Sequence, residues 1–294
     1  MTRVGDDHCR RCPRPTLIAR PKRQVCNVGH IGLQHATKSF AVQMLAKADA
    51  SRVTDFQPAN ALLRSLSPSD LARLAPDLTL IDLVTSDILY EMEDRVDWVY
   101  LPEDGLLSLI TVMASGTSLE TSIVGREGGF GFVEALGSGV AYTRVIVQIP
   151  GKAYRLSRAA WTTAFETSAA MRKAVHRQVE LLQAESRQAI ACHGLHTVRQ
   201  RFNRWMLECD ELSGRPTTMP LKQEFLAVVL GVSRPAVTRI ALDAQKHGFI
   251  RYSRGVVTIV DHPALERASC ECRASLQYLR RVLVPNAELN EAGR

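Results

Sequence analysis

No apolar run in this 294-residue chain approaches the ~18 residues that a membrane-spanning helix needs. The first residues contain no apolar core of secretory type. A cytoplasmic protein without a membrane partner is therefore expected, and its seven cysteines are expected as thiols or metal ligands, not disulfides. There is no His between His35 and His176, and no Cys between Cys26 and Cys192. Catalytic metal sites built from clustered histidines and a carboxylate are thereby excluded from that stretch. Ser, His and Asp occur without any local nucleophile signature. An enzyme is not expected, and no cofactor is called for.

The formal net charge is +7, and its location decides what it means. Residues 1–48 hold nine Lys/Arg and two acids, so this segment carries the whole imbalance. Residues 56–165 hold 8 basic and 13 acidic residues, whereas residues 195–262 hold 10 and 6. A basic module beside an acidic one suits nucleic-acid contact by the former only.

The basic module contains QEFLAVVLGVSRPAVTRIAL, from Gln223 to Leu242. It reads as a helix over about 221–230, a turn at Gly231, and a second helix capped by Ser233 with Pro235 in its first turn. Leu226, Leu230, Val232, Val237 and Ile240 face one small core, and Ala227 lets the helices cross closely. This is a helix-turn-helix pattern, with Arg234, Thr238 and Arg239 outward on the second helix. An ordinary helical corner with solvated arginines has the same local pattern. The residues after Leu242 favour the helix-turn-helix. Phe249–Tyr252 and Val256–Val260 read as strands around the turn Ser253-Arg254-Gly255, which completes a winged helix with Arg251 and Arg254 on the wing.

LGVSRPAVTRIALDAQKHGFIRYSRGVVTIVD resembles the DNA-binding domain of the Crp/Fnr transcription regulators. HTVRQRFNRWML (196–207) resembles the helix before that domain, and VGREGGFG (124–131) a loop of the family's sensory barrel. The resemblance spans about 56–280. It implies an α+β chain with an N-terminal double-stranded β-helix, or jelly roll, of the cyclic-nucleotide-binding type. A long dimerisation helix and a C-terminal winged helix-turn-helix come after it. Short apolar runs at 78–84, 97–101, 106–113, 118–124 and 143–149 suit the barrel. Residues 1–54 are then a basic tail, 55–166 the barrel, 167–193 the dimer helix, 194–284 the winged-helix domain with a final helix from Pro263 to about Val284, and 285–294 a second tail.

The resemblance implies a homodimer on double-stranded DNA at a near-palindromic site, with RNA polymerase admitted as a further partner. Ser233, Arg234 and Arg239 match the family's guanine-contacting pattern, whereas Pro235 replaces its Glu. Gln223, Thr238, Arg251 and Arg254 complete the expected interface. For a cyclic nucleotide, Arg126, Glu127 and Arg144 are the candidates, but Val145 and Ile146 stand where an Arg–hydroxyl element should continue. No small-molecule effector is identified. Two other classes stay open: a cyclic-nucleotide sensor, and a winged helix that docks protein.

Met171, Val175, Gln178, Leu182, Glu185 and Ala189 follow 4-3-4-3 spacing, a seam expected to face a second subunit. Leu195, Val198, Phe202, Trp205, Met206 and Cys209 form a core stripe on the next helix. In the tail, Cys9-Arg-Arg-Cys12 with Cys26, His8 and His30 has zinc-ligand chemistry. Fnr-type sensors hold an iron–sulfur cluster on tail cysteines plus one in the barrel, and that barrel cysteine is missing here. No metal is expected. Cys270 and Cys272, two apart on an expected helix, are expected to point to different sides and so to be poor joint ligands for one metal.

Overall fold

The computed structural model describes residues 56–214 and 218–284, all within one compact unit that spans residues 51–294. The tail cysteines, Pro216 and the last ten residues lie outside the described residues.

Two short helices open the unit, α1 (Ala61–Arg64) and α2 (Pro68–Leu74). Asn60 caps α1, and its buried amide donates to the carbonyls of Pro102 (2.9 Å) and Gly128 (2.7 Å), tying the helix to the strands behind it. Seven strands come next: β1 (Thr79–Leu83), β2 (Ile88–Tyr90), β3 (Trp98–Pro102), β4 (Leu106–Val112), β5 (Ser118–Val124), β6 (Arg144–Ile149) and β7 (Gly151–Ser157), with α3 (Phe132–Leu136) between β5 and β6. They form two antiparallel sheets, β1-β7-β3 and β2-β6-β4-β5. Leu83, Tyr90, Tyr100, Leu107, Phe130 and Val147 are packed together in a buried apolar cluster. Strands β2 and β7 were not expected from sequence. β2 is only three residues long, and β7 alternates with polar residues such as Lys152 and Arg155.

Ser157 and Ser168 each cap a helix by accepting a backbone N–H, so α4 (Arg158–Thr167) and α5 (Ala169–Leu195) meet at one residue. The capping box Thr197/Gln200 then starts α6 (Val198–Leu212). Gly194 therefore lies inside α5, and the break falls at His196–Thr197. Leu195, expected in the core stripe, is 81 % exposed, because the chain turns immediately after it. The remaining elements are β8 (Met219–Pro220), α7 (Gln223–Leu230), α8 (Arg234–Lys246), β9 (Ile250–Ser253), β10 (Val256–Ile259), α9 (His262–Arg267) and α10 (Cys272–Leu283). The expected single final helix is thus two, separated around Cys270. That break overturns the expectation for Cys270 and Cys272: only the second is helical, so helical spacing does not apply.

The 4-3-4-3 seam of α5 also needs correction. Met171 and Val175 are packed in a cluster with Leu62, Phe132 and Trp161. The Gln178 amide donates to the Glu127 carbonyl at 2.7 Å. Glu185 is paired with Arg280 of α10 at 2.7 Å. The seam is consumed within its own chain, because the barrel and α10 cover it.

A second cluster joins barrel and winged helix. Leu106, Ile123 and Ile149 pack with Phe202, Trp205, Leu226 and Leu230. Gly125 is required there, since a Cβ would collide with the Leu212 backbone. Glu120 of β5 is buried among these groups. It accepts from Ser108 Oγ (2.5 Å) and Trp205 Nε1 (2.6 Å), with Arg204 and Glu208 in electrostatic reach. Burial pushes its carboxyl up to about 8, against the partial opposition of those two donors. Burial likewise raises Glu127 to about 7.

Arg280 is 5 % exposed and lies against Glu185 and, at 3.8 Å, Glu208. Arg280→Met should cost about 3–5 kcal/mol in urea unfolding, because it leaves buried carboxylates uncompensated; a loss under about 1 kcal/mol contradicts this placement. A second expectation concerns pH. Glu120 binds its proton more tightly folded than unfolded, so its contribution is complete below 4.5 and is lost as pH rises to about 8. Melting temperature should fall across that window, and Glu120→Gln should flatten the fall, leaving the part owed to Glu127. An unchanged slope in the variant would contradict the protonated, buried carboxyl.

Candidate nucleic-acid interface

The interface is built on α7, α8 and the β9–β10 hairpin. α7 ends at Gly231, whose φ of 65° carries the chain into the turn without a Cβ clash. Together α7 and α8 bend by 99°, within the range of helix-turn-helix units. Leu226, Leu230 and Val237 are buried in the shared core, with Ala227, Val232 and Ile240 packed at its edge. Ser233 occupies the N-cap position of α8 and its carbonyl accepts from Ala236 (2.9 Å) and Val237 (3.1 Å). Its hydroxyl makes no capping bond, contrary to expectation. Pro235 lies in the first turn, where a missing N–H costs nothing.

Val237, Ala241 and Ala244 line the buried side of α8. Arg234, Pro235, Arg239, Leu242, Gln245 and Lys246 are exposed on the other. At about 100° per residue, Arg234 and Arg239 stand roughly 140° apart around the axis. They therefore flank the exposed face instead of stacking on it. Arg234 pairs with Glu224 at 3.5 Å, and both side chains are solvated (68 % and 56 % exposed), so the pair opens at little cost. Thr238 Oγ1 donates to the Gln223 side chain (3.3 Å) and the Arg234 carbonyl (3.2 Å).

The hairpin turns at Arg254 (φ 52°) and Gly255 (φ 76°), the two left-handed residues of a type I′ turn. Strand alternation turns Tyr252 inward, where its hydroxyl donates to the Leu221 carbonyl at 3.0 Å, and leaves Arg251 exposed. Gln245 of α8 accepts the Tyr252 N–H at 2.6 Å, fixing the wing to the helix. A groove of 470 Å³ between these elements is lined by Gln223, Thr238, Leu242, Gln245, Tyr252 and Arg254. The structure thus brings Gln223, Thr238 and Arg254 together and sets Arg234 and Arg239 along the same helix. Leu242 and Gln245 were not anticipated from sequence. Each continues the 3.6-residue period from Thr238, by one turn and by two, so the signal was present.

The cyclic-nucleotide candidates do not converge. Glu127 is buried and its carboxylate folds back to accept the Gly125 N–H at 3.0 and 3.1 Å. The N–H of Arg126 donates to the Leu212 carbonyl at 3.1 Å, in the joint with α6. Arg144 pairs with Glu91 at 2.8 Å.

Residues 200–268 match the family model of the Crp-like helix-turn-helix domain. Among solved structures the fold is similar to that of FixK2 from Bradyrhizobium japonicum, at 14 % identity and a TM-score of 0.56, covering 66 % of this chain and 98 % of that one. It is also similar to a Crp/Fnr-family transcriptional regulator from Eubacterium rectale, at 15 % identity and a TM-score of 0.56, covering 72 % and 97 %. A third similar structure is the c-di-GMP-responsive global regulator CLP of Xanthomonas campestris, at 14 % identity and a TM-score of 0.53, covering 66 % and 100 %. No curated protein matches the chain in sequence. Fold and domain match define a DNA-binding protein of the winged-helix class, built behind a jelly-roll barrel. Residues 200–268 thus form a Crp-like helix-turn-helix domain, and the fold of the whole chain is similar to that of Crp/Fnr-family regulators. Among the described residues no single helix is long and apolar enough to cross a membrane.

Because Arg126, Glu127 and Arg144 do not converge and the Glu127 carboxylate is turned back onto the Gly125 N–H, calorimetry with cyclic AMP or cyclic GMP should give no micromolar binding. Micromolar affinity that disappears in Arg144→Ala would overturn this.

Proposed function

We propose that the chain works as a homodimer that reads a near-palindromic operator with α8 in the major groove. The observation that carries this is the exposed face of α8, flanked by Arg234 and Arg239 and continued by the wing arginines. Arg can pair bidentately with a guanine edge, and Thr238 or Gln223 can reach a neighbouring base. With Pro235 in place of a Glu, no carboxylate accepts from a cytosine amine at that position. Arg251 and Arg254 neutralise phosphates, and Ser233 offers an uncommitted hydroxyl at the helix N-terminus, where phosphate oxygens are favoured.

The dimer face of this reading is the outer side of α5, not the inward seam. Lys173, His176, Glu180, Gln183, Arg187 and Ile190 form a row spaced by three and four along that side, and Ile190 is 74 % exposed. A polar row of this kind gives an adjustable contact, suited to setting the separation of two recognition helices at about one DNA turn, ~34 Å. At the operator the dimer would act on RNA polymerase. The effector, if the barrel takes one, is not a nucleotide held by Arg144.

Arg239→Ala should cost about 1–3 kcal/mol on the preferred site and relax the preference at one base pair per half-site. Arg251→Ala and Arg254→Ala should weaken all sequences alike. Binding to a library of single-base variants at fixed salt separates these outcomes. Uniform loss in Arg239→Ala with altered base preference in a wing variant would reverse the assignment.

A further inference from the structure

Away from the DNA-reading face, four side chains from two breaks in the helical scaffold meet in one place. Cys192 comes from the last turns of α5 and His196 from the residue that ends it. Cys270 comes from the break between α9 and α10, and Cys272 opens α10. The three thiols are buried at 0, 2 and 1 % exposure and form a cluster of their own, with no aliphatic partner in it. Cys192 Sγ lies 3.6 Å from Cys270 Sγ, and Cys272 Sγ lies 3.5 Å from His196 Nδ1. All four potential ligand atoms lie within 4.8 Å of one another.

These separations can be compared with a metal centre. Around a tetrahedral zinc with Zn–S of about 2.3 Å and Zn–N of about 2.0–2.1 Å, adjacent ligand atoms are about 3.8 Å apart for two sulfurs and about 3.5 Å for sulfur and nitrogen. Both separations in the cluster fall close to those values. An iron–sulfur cluster, with several irons and sulfides between its ligands, needs a wider cage.

The surroundings suit a metal as well. His196 Nε2 lies 3.1 Å from the Glu271 carboxylate. That contact places the ring proton on Nε2 and leaves the Nδ1 lone pair facing the thiols, the usual carboxylate–histidine–metal arrangement. The Gln188 amide donates to Cys272 Sγ at 3.0 Å, as a donor to a thiolate would. Arg204 lies in electrostatic reach of all three thiols and can offset the net negative charge of a three-thiolate site.

We propose that Cys192, His196, Cys270 and Cys272 hold one zinc ion in a closed, structural Cys3His site. The ligands come from both the α5–α6 break and the α9–α10 break. The ion would therefore pin the end of α5 to the C-terminal helix and set the angle at which the winged helix leaves α5. With four protein ligands there is no open position for substrate, so the site is structural and its occupancy contributes to folding.

The test uses the full chain, purified with reductant, and inductively coupled plasma mass spectrometry for metal. One zinc per chain is expected. The same stoichiometry is expected when Cys9, Cys12 and Cys26 are all replaced by Ser, which separates this site from the N-terminal cysteines. Cys272→Ser and His196→Asn should each bring zinc close to zero. Should those variants misfold, the wild-type chain still decides. Cobalt(II) exchanged for zinc should give the visible bands of a tetrahedral thiolate site. Alkylation mapped by mass spectrometry should leave Cys192, Cys270 and Cys272 protected until a chelator is added. Three results would overturn the proposal: no stoichiometric metal with those cysteines freely alkylated, a Cys192–Cys270 disulfide in the non-reduced protein, or zinc lost only with the tail cysteines.

Discussion

Arg280 sits where the chain's long-range architecture converges. Its guanidinium is buried and bound to Glu185 of α5, with Glu208 of α6 close by. Burial alone would lower its basicity, but Glu185, Glu208, Glu127 and Glu211 together hold it firmly charged. Carboxylates from the barrel loop, α5 and α6 therefore share one cation from α10. A buried ion group of this kind adds little net stability over an apolar core, but it admits only one arrangement. It fixes which face of α5 turns inward. That in turn leaves the row from Lys173 to Ile190 outside and the winged helix seated on β5.

From that constraint comes the functional surface. With β5 and α6 covering the back of the helix-turn-helix, its broad exposed face is the outer side of α8 and the adjoining wing. The charge separation visible along the chain then has a spatial meaning. In the proposed reading, the acidic barrel would repel phosphates and the basic module attract them, so approach of DNA would be oriented before any base is read. Glu120, held near neutral by burial, adds a hydrogen-bonded rather than charged contact between the two halves.

The winged helix-turn-helix was legible in the sequence because its signals are local. Gly231 at the turn, the 3.6-residue spacing of Leu226, Leu230 and Val237, and the Arg254-Gly255 hairpin each report on residues a few positions away. Most barrel strands were legible for the same reason, whereas β7 was hidden by its polar alternation. The burial of Met171, Val175 and Glu185 was not legible. A 4-3-4-3 seam looks the same whether a second subunit or the chain's own barrel covers it, and Arg280, its partner, is 95 residues away. Ser233 stands at the cap without capping, because its carbonyl alone meets the first free N–H groups. The meeting of Cys192 with Cys270 was equally invisible, since it depends on the break that splits the last helix. Side-chain spacing within one helix carries no information about such a contact.

The central claim is that two copies of the α8–wing face read DNA as a symmetric pair. In vitro selection of random duplex DNA by the purified full-length chain tests it most directly. Enrichment of an inverted repeat is expected, with guanines in each half-site and half-site centres about one helical turn apart. Recovery of a single asymmetric half-site, or no enrichment above non-specific binding at physiological salt, would contradict it.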